Sequence, residues 1–176
     1  AKGRAYTLGE LLAGDAELAA RYRGGRFATI YLAPCNYHRI HMPLDGALRA
    51  SWYVPGRLFS VNAATAASVP RLFARNERVI CDFDGTHGPF AVVLVGALFV
   101  GSMSLAWAGE IRAARRKPYD LPARDPFIAL DRGAELGWFN MGSTVIVMFA
   151  RRGPALVAGW LPGRAVRVGE RLALSP

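Results

Sequence analysis

Three polar groups interrupt an otherwise apolar chain: Cys35-Asn36-Tyr37-His38-Arg39-Ile40-His41, Asn140-Met141-Gly142-Ser143-Thr144, and the carboxylates Asp82 and Asp84. The first contains C-x-x-H-x-x-H, a spacing that invites a metal site. Pro34 and Pro43 bracket it, which disfavours a helix that would gather residues three apart, and on a strand that spacing points to opposite faces. No metal is expected, and a polar turn with hydrogen-bonded histidines is the plainer reading. In the second group, Gly142 leaves its carbonyl open to attack by the neighbouring Ser143 hydroxyl, and a histidine base nearby would make that attack feasible. Taken alone, Gly142-Ser143-Thr144 also describes an ordinary turn into a strand.

Length and composition bound the scaffold that must position these groups. A chain of 176 residues, 52% hydrophobic and 20% charged, has enough apolar surface to fold and is too apolar to be disordered. Two cysteines, Cys35 and Cys81, exclude a disulfide framework and a four-thiolate zinc site, and read as reduced thiols. The formal net charge of +9 draws either nucleic acid or an anionic membrane surface. No aromatic-interleaved or recognition-helix pattern accompanies the arginines, so nucleic acid is not expected.

Helical signals are confined to the start. Thr7 with Glu10 three residues on forms a capping-box pattern ahead of Leu11, Leu12, Leu18 and Tyr22, and Gly14-Asp15 breaks the helix in two. After Gly24-Gly25 the chain turns to short runs rich in Val, Ile, Phe, Tyr and Trp. These predict strands at Phe27–Leu32, Ala47–Val54, Arg78–Phe83, Phe90–Val95, Leu98–Met103, Ala106–Ile111, Phe127–Leu130, Thr144–Phe149, Leu156–Gly159 and Ala165–Val168. The uncharged stretch Gly85–Gly109 imitates a membrane span, but its Gly88-Pro89, Gly96, Gly101 and many valines fit two buried strands joined at a bend. Arg112–Asp125, with two prolines and five basic residues, reads as a surface loop suited to anionic lipid. The expected fold is mainly β, a single-domain sandwich or partly open barrel over 1–176 with a short N-terminal helical segment.

Tyr37-His38-Arg39-Ile40-His41-Met42-Pro43, then Tyr53–Asn62 (YVPGRLFSVN), then Leu72–Val79 (LFARNERV), resemble the phosphatidylserine decarboxylase family. So do Val95-Gly96-Ala97 with Val100-Gly101-Ser102, Trp107-Ala108-Gly109, and Gly133 to Thr144 with Glu135, Gly137 and Phe139. The resemblance keeps one order along nearly the whole chain. It implies a self-processing serine, because the family's Leu-Gly-Ser-Thr motif is cut before its serine and Met141-Gly142-Ser143-Thr144 stands in its place. The change of Leu to Met conserves volume. Ser143 Oγ would attack the Gly142 carbonyl to give an ester, and elimination and hydrolysis would then leave a pyruvoyl group derived from Ser143 as the cofactor. The products, 1–142 and 143–176, would stay associated, with a dimer of that pair as a further expectation. The implied reaction converts phosphatidylserine to phosphatidylethanolamine and carbon dioxide, the pyruvoyl ketone engaging the serine amine and accepting the electrons released.

By the same resemblance His41 belongs to an Asp-His-Ser relay, His38 to acid/base work in decarboxylation, and Ser60 and Asn62 to contacts with headgroup or cofactor. His41 is therefore expected close to Ser143, on the same side of the sheet. The family's relay aspartate lies in a Pro-Ala-Asp-Gly motif upstream of the region matching Ala1-Lys2-Gly3. No such motif occurs in this chain, and Asp82 and Asp84 match a different family stretch. The chain is thus expected to be N-terminally truncated, and the competing expectation is a non-catalytic lipid-binding relative unable to process itself. The expected location is peripheral, on the cytoplasmic face of a membrane, with no transmembrane span in this chain.

Overall fold

Thr7 opens the first helix, α1 (Leu8–Leu11), as the capping-box spacing predicts: its hydroxyl accepts from Glu10 N at 3.1 Å while the Glu10 carboxylate accepts from Thr7 N at 2.8 Å. Ala13 and Gly14 adopt positive φ and end it, and Asp15 caps α2 (Ala16–Arg21) by accepting from Leu18 N. The structure, a computed structural model, describes residues 6–98, 102–111, 117–121 and 127–174.

Beyond the helices the chain is antiparallel sheet. Strands β1 (Arg26–Tyr31), β3 (Gly46–Val54), β4 (Arg78–Gly85), β5 (Gly88–Val95), β8 (Tyr119–Asp120), β9 (Ala129–Leu130) and β11 (Thr144–Phe149) form one sheet. Its order is β1-β11-β5-β4-β3-β8, with β9 also paired to β3. The second sheet runs β2 (Arg39–His41), β10 (Glu135–Phe139), β6 (Met103–Leu105), β7 (Gly109–Ile111), and β12 (Ala155–Leu156) pairs with β13 (Ala173–Leu174). The fold is mainly β, as expected, and the sheets are not closed into a barrel.

The continuous apolar runs of β5 and β11 follow from their central places. Every residue from Phe90 to Val95 and from Thr144 to Phe149 is buried, because the large sheet is covered on both faces. On one face Arg78 ties β4 to α1, its guanidinium donating to the carbonyls of Leu11 at 2.6 Å and Glu10 at 2.9 Å. On the other, Trp107 meets Phe83 edge-on and donates to Ser51 Oγ at 3.1 Å, and Met103, Leu105, Leu136 and Phe139 of the second sheet join the same core. The Gly85–Gly109 stretch thus supplies β5 and β6, and among the described residues no helix is long and apolar enough to cross a membrane.

Several sequence expectations need correction. Helix is not confined to the start: α3 (Ala63–Ser68), capped by Asn62, and α4 (Leu72–Arg75) follow β3. The short alanine-rich turn after an Asn cap carries too little apolar periodicity to stand out. Arg39–His41 and Glu135–Phe139 are strands, paired across nearly a hundred residues with a bulge between Glu135 and Gly137, a non-local pairing that no local pattern announces. Ala165–Val168 is no strand, and Val168 is 67% exposed between turns at Gly163 and Gly169. Within Arg112–Asp125, Tyr119–Asp120 forms β8, paired with Trp52 and Tyr53, whereas 112–116 and 122–125 lie outside the described residues. Residues 99–101 of the expected Leu98–Met103 strand also lie outside them; β6 begins only at Met103, and the Ala106–Ile111 run shrinks to β7 after a turn.

Candidate active site

The Gly142-Ser143 bond lies where the chain crosses between sheets, since β10 ends at Phe139 in the smaller sheet and β11 begins at Thr144 in the larger. The crossing is pinned at its start by Asn140, whose side-chain amide donates to Ser102 Oγ, and that hydroxyl donates to Glu110 at 2.7 Å. Gly142 presses on the backbone of Leu32–Pro34, so closely that an added Cβ would lie 2.7 Å from Ala33 C and 2.8 Å from Pro34 N. Only glycine fits there. Ser143 is fully buried: its hydroxyl donates to Val95 O and its carbonyl accepts from Leu32 N at 2.7 Å. The hydroxyl is therefore held by an acceptor, beside a residue with no side chain to shield its carbonyl.

The two histidines take different places. His38 Nε2–H donates to Ala33 O at 3.0 Å, and His38 O accepts from Phe139 N, so this ring shares Ala33 with Gly142. His41 Nδ1–H donates to Gly133 O at 2.8 Å, which fixes the tautomer and leaves Nε2 to accept from Tyr37 Oη at 2.8 Å. The Tyr37 and His41 rings lie nearly parallel, with centroids 5.7 Å apart. Both ring nitrogens of His41 thus have partners, and neither of those partners is Ser143.

Asn62 spends its side chain on the cap of α3, accepting from Thr65 N at 2.9 Å. Ser60 sits half-buried next to Phe59, and that loop is tied to the serine site through Asn76. Fully buried, Asn76 accepts from Phe59 N at 3.0 Å and donates to Phe59 O and Gly96 O at 2.8 Å each. Gly96 follows the residue whose carbonyl holds the Ser143 hydroxyl. Asn76→Ala would leave three backbone groups unpaired, and a loss of about 3 kcal/mol is expected from the urea unfolding midpoint.

Asp82 belongs to the scaffold. Fully buried and paired with Ala91, it accepts from Tyr22 Oη and lies 3.1 Å from Arg49 and 3.5 Å from Arg21, while Asp84 pairs with Arg21 at the surface. Burial and the neighbouring carboxylate push the Tyr22 phenol far up. Cys35 is exposed and Cys81 buried, both free. Among the described residues no group of three or more His, Cys, Asp or Glu is placed to hold a metal.

Glu77 was not singled out from the sequence, although its stretch carries part of the family resemblance. It is buried, accepts from Tyr53 Oη at 2.7 Å, and lies over Gly96. Burial raises its pKa, an effect that the Tyr53 hydrogen bond opposes. The signal was present in Asn76-Glu77, two polar residues directly ahead of the buried run Arg78–Phe83.

The class that this describes is a mainly β scaffold of open antiparallel sheets, with a Gly-Ser bond where the chain passes from the smaller sheet to the larger and His38 bonded to the backbone that Gly142 touches. The chain belongs to the phosphatidylserine decarboxylase family, whose family model matches residues 1–174. Relatives called phosphatidylserine decarboxylase proenzyme are 57% identical in Pseudomonas paraeruginosa, 52% in Methylibium petroleiphilum and 57% in Bordetella pertussis, each over 99% or more of this chain. The chain spans 60–62% of the length of these relatives.

Proposed function

We propose that this chain carries the self-cleaving and decarboxylating centre of an enzyme that converts phosphatidylserine to phosphatidylethanolamine and carbon dioxide. The observation that carries the reading is the buried Ser143 hydroxyl held beside the unshielded Gly142 in the crossing. Attack of Ser143 Oγ on the Gly142 carbonyl makes a carbon–oxygen bond as the Gly142 C–Ser143 N bond breaks, with the nitrogen taking up a proton. Elimination across Cα–Cβ releases the new Gly142 carboxylate, and hydrolysis then releases ammonia and leaves a pyruvoyl group at the start of β11. The residues present fit that group: Leu32 N already holds the carbonyl of residue 143, and Gly142 admits no side chain that would crowd the bond. Once in place, a pyruvoyl group supplies an electron sink for decarboxylation. His41, oriented by Gly133 O, offers Nε2 for proton transfer in cleavage, and His38 stands next to the cut bond for proton transfer afterwards. Ser60 is a candidate headgroup contact; Asn62 is a weaker one because its carboxamide caps α3. The net charge of +9 supports peripheral contact with an anionic membrane, on its cytoplasmic face. The names of the relatives do not favour a non-catalytic lipid binder.

The test is the mass of the protein purified with whatever its gene encodes upstream of Ala1. A piece that starts at residue 143 with a blocked amino end should appear, residues 143–176 contributing 34 residues and about 3.7 kDa in proportion to length. A folded protein that releases carbon dioxide without being cut refutes the reading. Because β11 pairs with β1 on one side and β5 on the other, six residues each way, the two pieces should co-elute on gel filtration and separate only in denaturant.

A further inference from the structure

The ends of β11, β5 and β4 place three residues in one row. The ladders pair Thr144 with Val95 and Val95 with Arg78. Backbone pairing then continues one residue further, Leu32 N donating to Ser143 O and Gly96 N to Glu77 O at 2.8 Å. Ser143, Gly96 and Glu77 therefore occupy neighbouring positions, and strand alternation turns them to the face opposite Arg78 and Thr144. With strands about 4.8 Å apart, Ser143 and Glu77 are only about 10 Å apart along that row. Between them stands a residue without a side chain, and the Glu77 side chain fills its space: a Cβ on Gly96 would lie 2.6 Å from Glu77 Cγ and 2.8 Å from Glu77 Oε1. Glu77 Oε2 is anchored by Tyr53. On the same strand end, Val95 O receives the Ser143 hydroxyl.

We infer that Glu77 is a positioning residue for cleavage at Gly142-Ser143: its carboxyl, laid over Gly96 and anchored by Tyr53, fixes the end of β5 so that Val95 O holds the Ser143 hydroxyl for attack. The inference rests on the self-cleavage reading above. The surroundings of the Glu77 carboxyl bear on its charge. Around it, Tyr53 is its hydrogen-bond donor and Tyr119 packs behind Tyr53. Arg78 is turned away onto carbonyl groups, Arg75 lies over the Phe59 ring, and Arg57 is exposed. Among the described residues no cation is paired with Glu77 to favour its ionised form, which burial already disfavours. Because burial shifts the Glu77 pKa upward, its carboxyl ionises at higher pH than an ordinary carboxylate, and the charge then placed on the row would draw in water and loosen the strand end.

The experiment measures self-cleavage on denaturing gels as a function of pH, with unfolding temperatures, for the wild-type protein and for Ser143→Ala, Glu77→Gln and Glu77→Ala. Glu77→Ala should cut at least tenfold more slowly while still folded. Glu77→Gln should recover at least a third of the rate and lose the decline with rising pH that the wild-type protein shows above the ordinary carboxylate range. A Glu77→Ala protein that cuts within twofold of wild type, a wild-type profile without a decline as pH rises, or the same decline in Glu77→Gln overturns the inference and leaves the serine mechanism standing. If Glu77→Ala does not fold, the Glu77→Gln profile alone decides. A folded wild-type protein that never cuts overturns the self-cleavage reading and takes this inference with it.

Discussion

Replacing Ser143 by alanine is expected to abolish both chain cleavage and carbon dioxide release. Alanine keeps the backbone, so Leu32 N retains its acceptor and β11 its two ladders. What disappears is the hydroxyl that Val95 O holds, and with it the atom proposed to attack Gly142 and the proposed source of the pyruvoyl group. Removing the bond to Val95 O leaves one buried carbonyl short of a partner and costs on the order of 1 kcal/mol, too little to unfold the chain. A folded, uncut and inactive protein is the expected result on gels, in circular dichroism and in a carbon dioxide release assay. An active, uncut Ser143→Ala protein would end the pyruvoyl mechanism.

The second large effect separates the histidines. His41→Ala should block cleavage, lowering its rate by about 10²–10⁴-fold, the usual contribution of a positioned proton acceptor. His38→Ala should still cut but release carbon dioxide slowly, by a factor in the same range. The two expectations start from different surroundings. Gly133 O fixes Nδ1–H of His41, as a relay partner does, and leaves Nε2 available once Tyr37 Oη moves aside. His38, bonded to Ala33 O, lies against the same backbone as Gly142. A time course of cleavage beside an assay on the cut protein tells the two apart. Equal loss of cleavage in both variants would refute the division of roles.

The first turn and the two central strands were legible because their signals are local. Thr7 and Glu10 cap each other across three residues, and the short, Val- and Ile-rich run Val145–Phe149 after a Gly-Ser turn reads as a buried strand, as it is. The smaller sheet was not legible. Arg39–His41 has little apolar pattern, and it becomes a strand only because Glu135–Phe139 comes to meet it. The serine and both histidines could be named from the order of family motifs, whereas Glu77 stayed hidden because its significance depends on Gly96 and Tyr53, brought beside it by pairing of β4 with β5 and β3.

The sequence by itself determined which groups are candidates to react: a serine hydroxyl behind a glycine carbonyl, histidines proposed to move protons, and enough apolar residues to build a core around them. Only the tertiary structure decided how those atoms are held. Val95 O receives the Ser143 hydroxyl, Ala33 O takes His38, and Gly133 O with Tyr37 takes His41. Each of these contacts except Tyr37–His41 and Ala33–His38 joins residues far apart in the chain. The partner in most of them is a backbone carbonyl, which every residue carries, so side-chain identity says nothing about which one will serve; for the distant pairs the packing and register of the sheets select it.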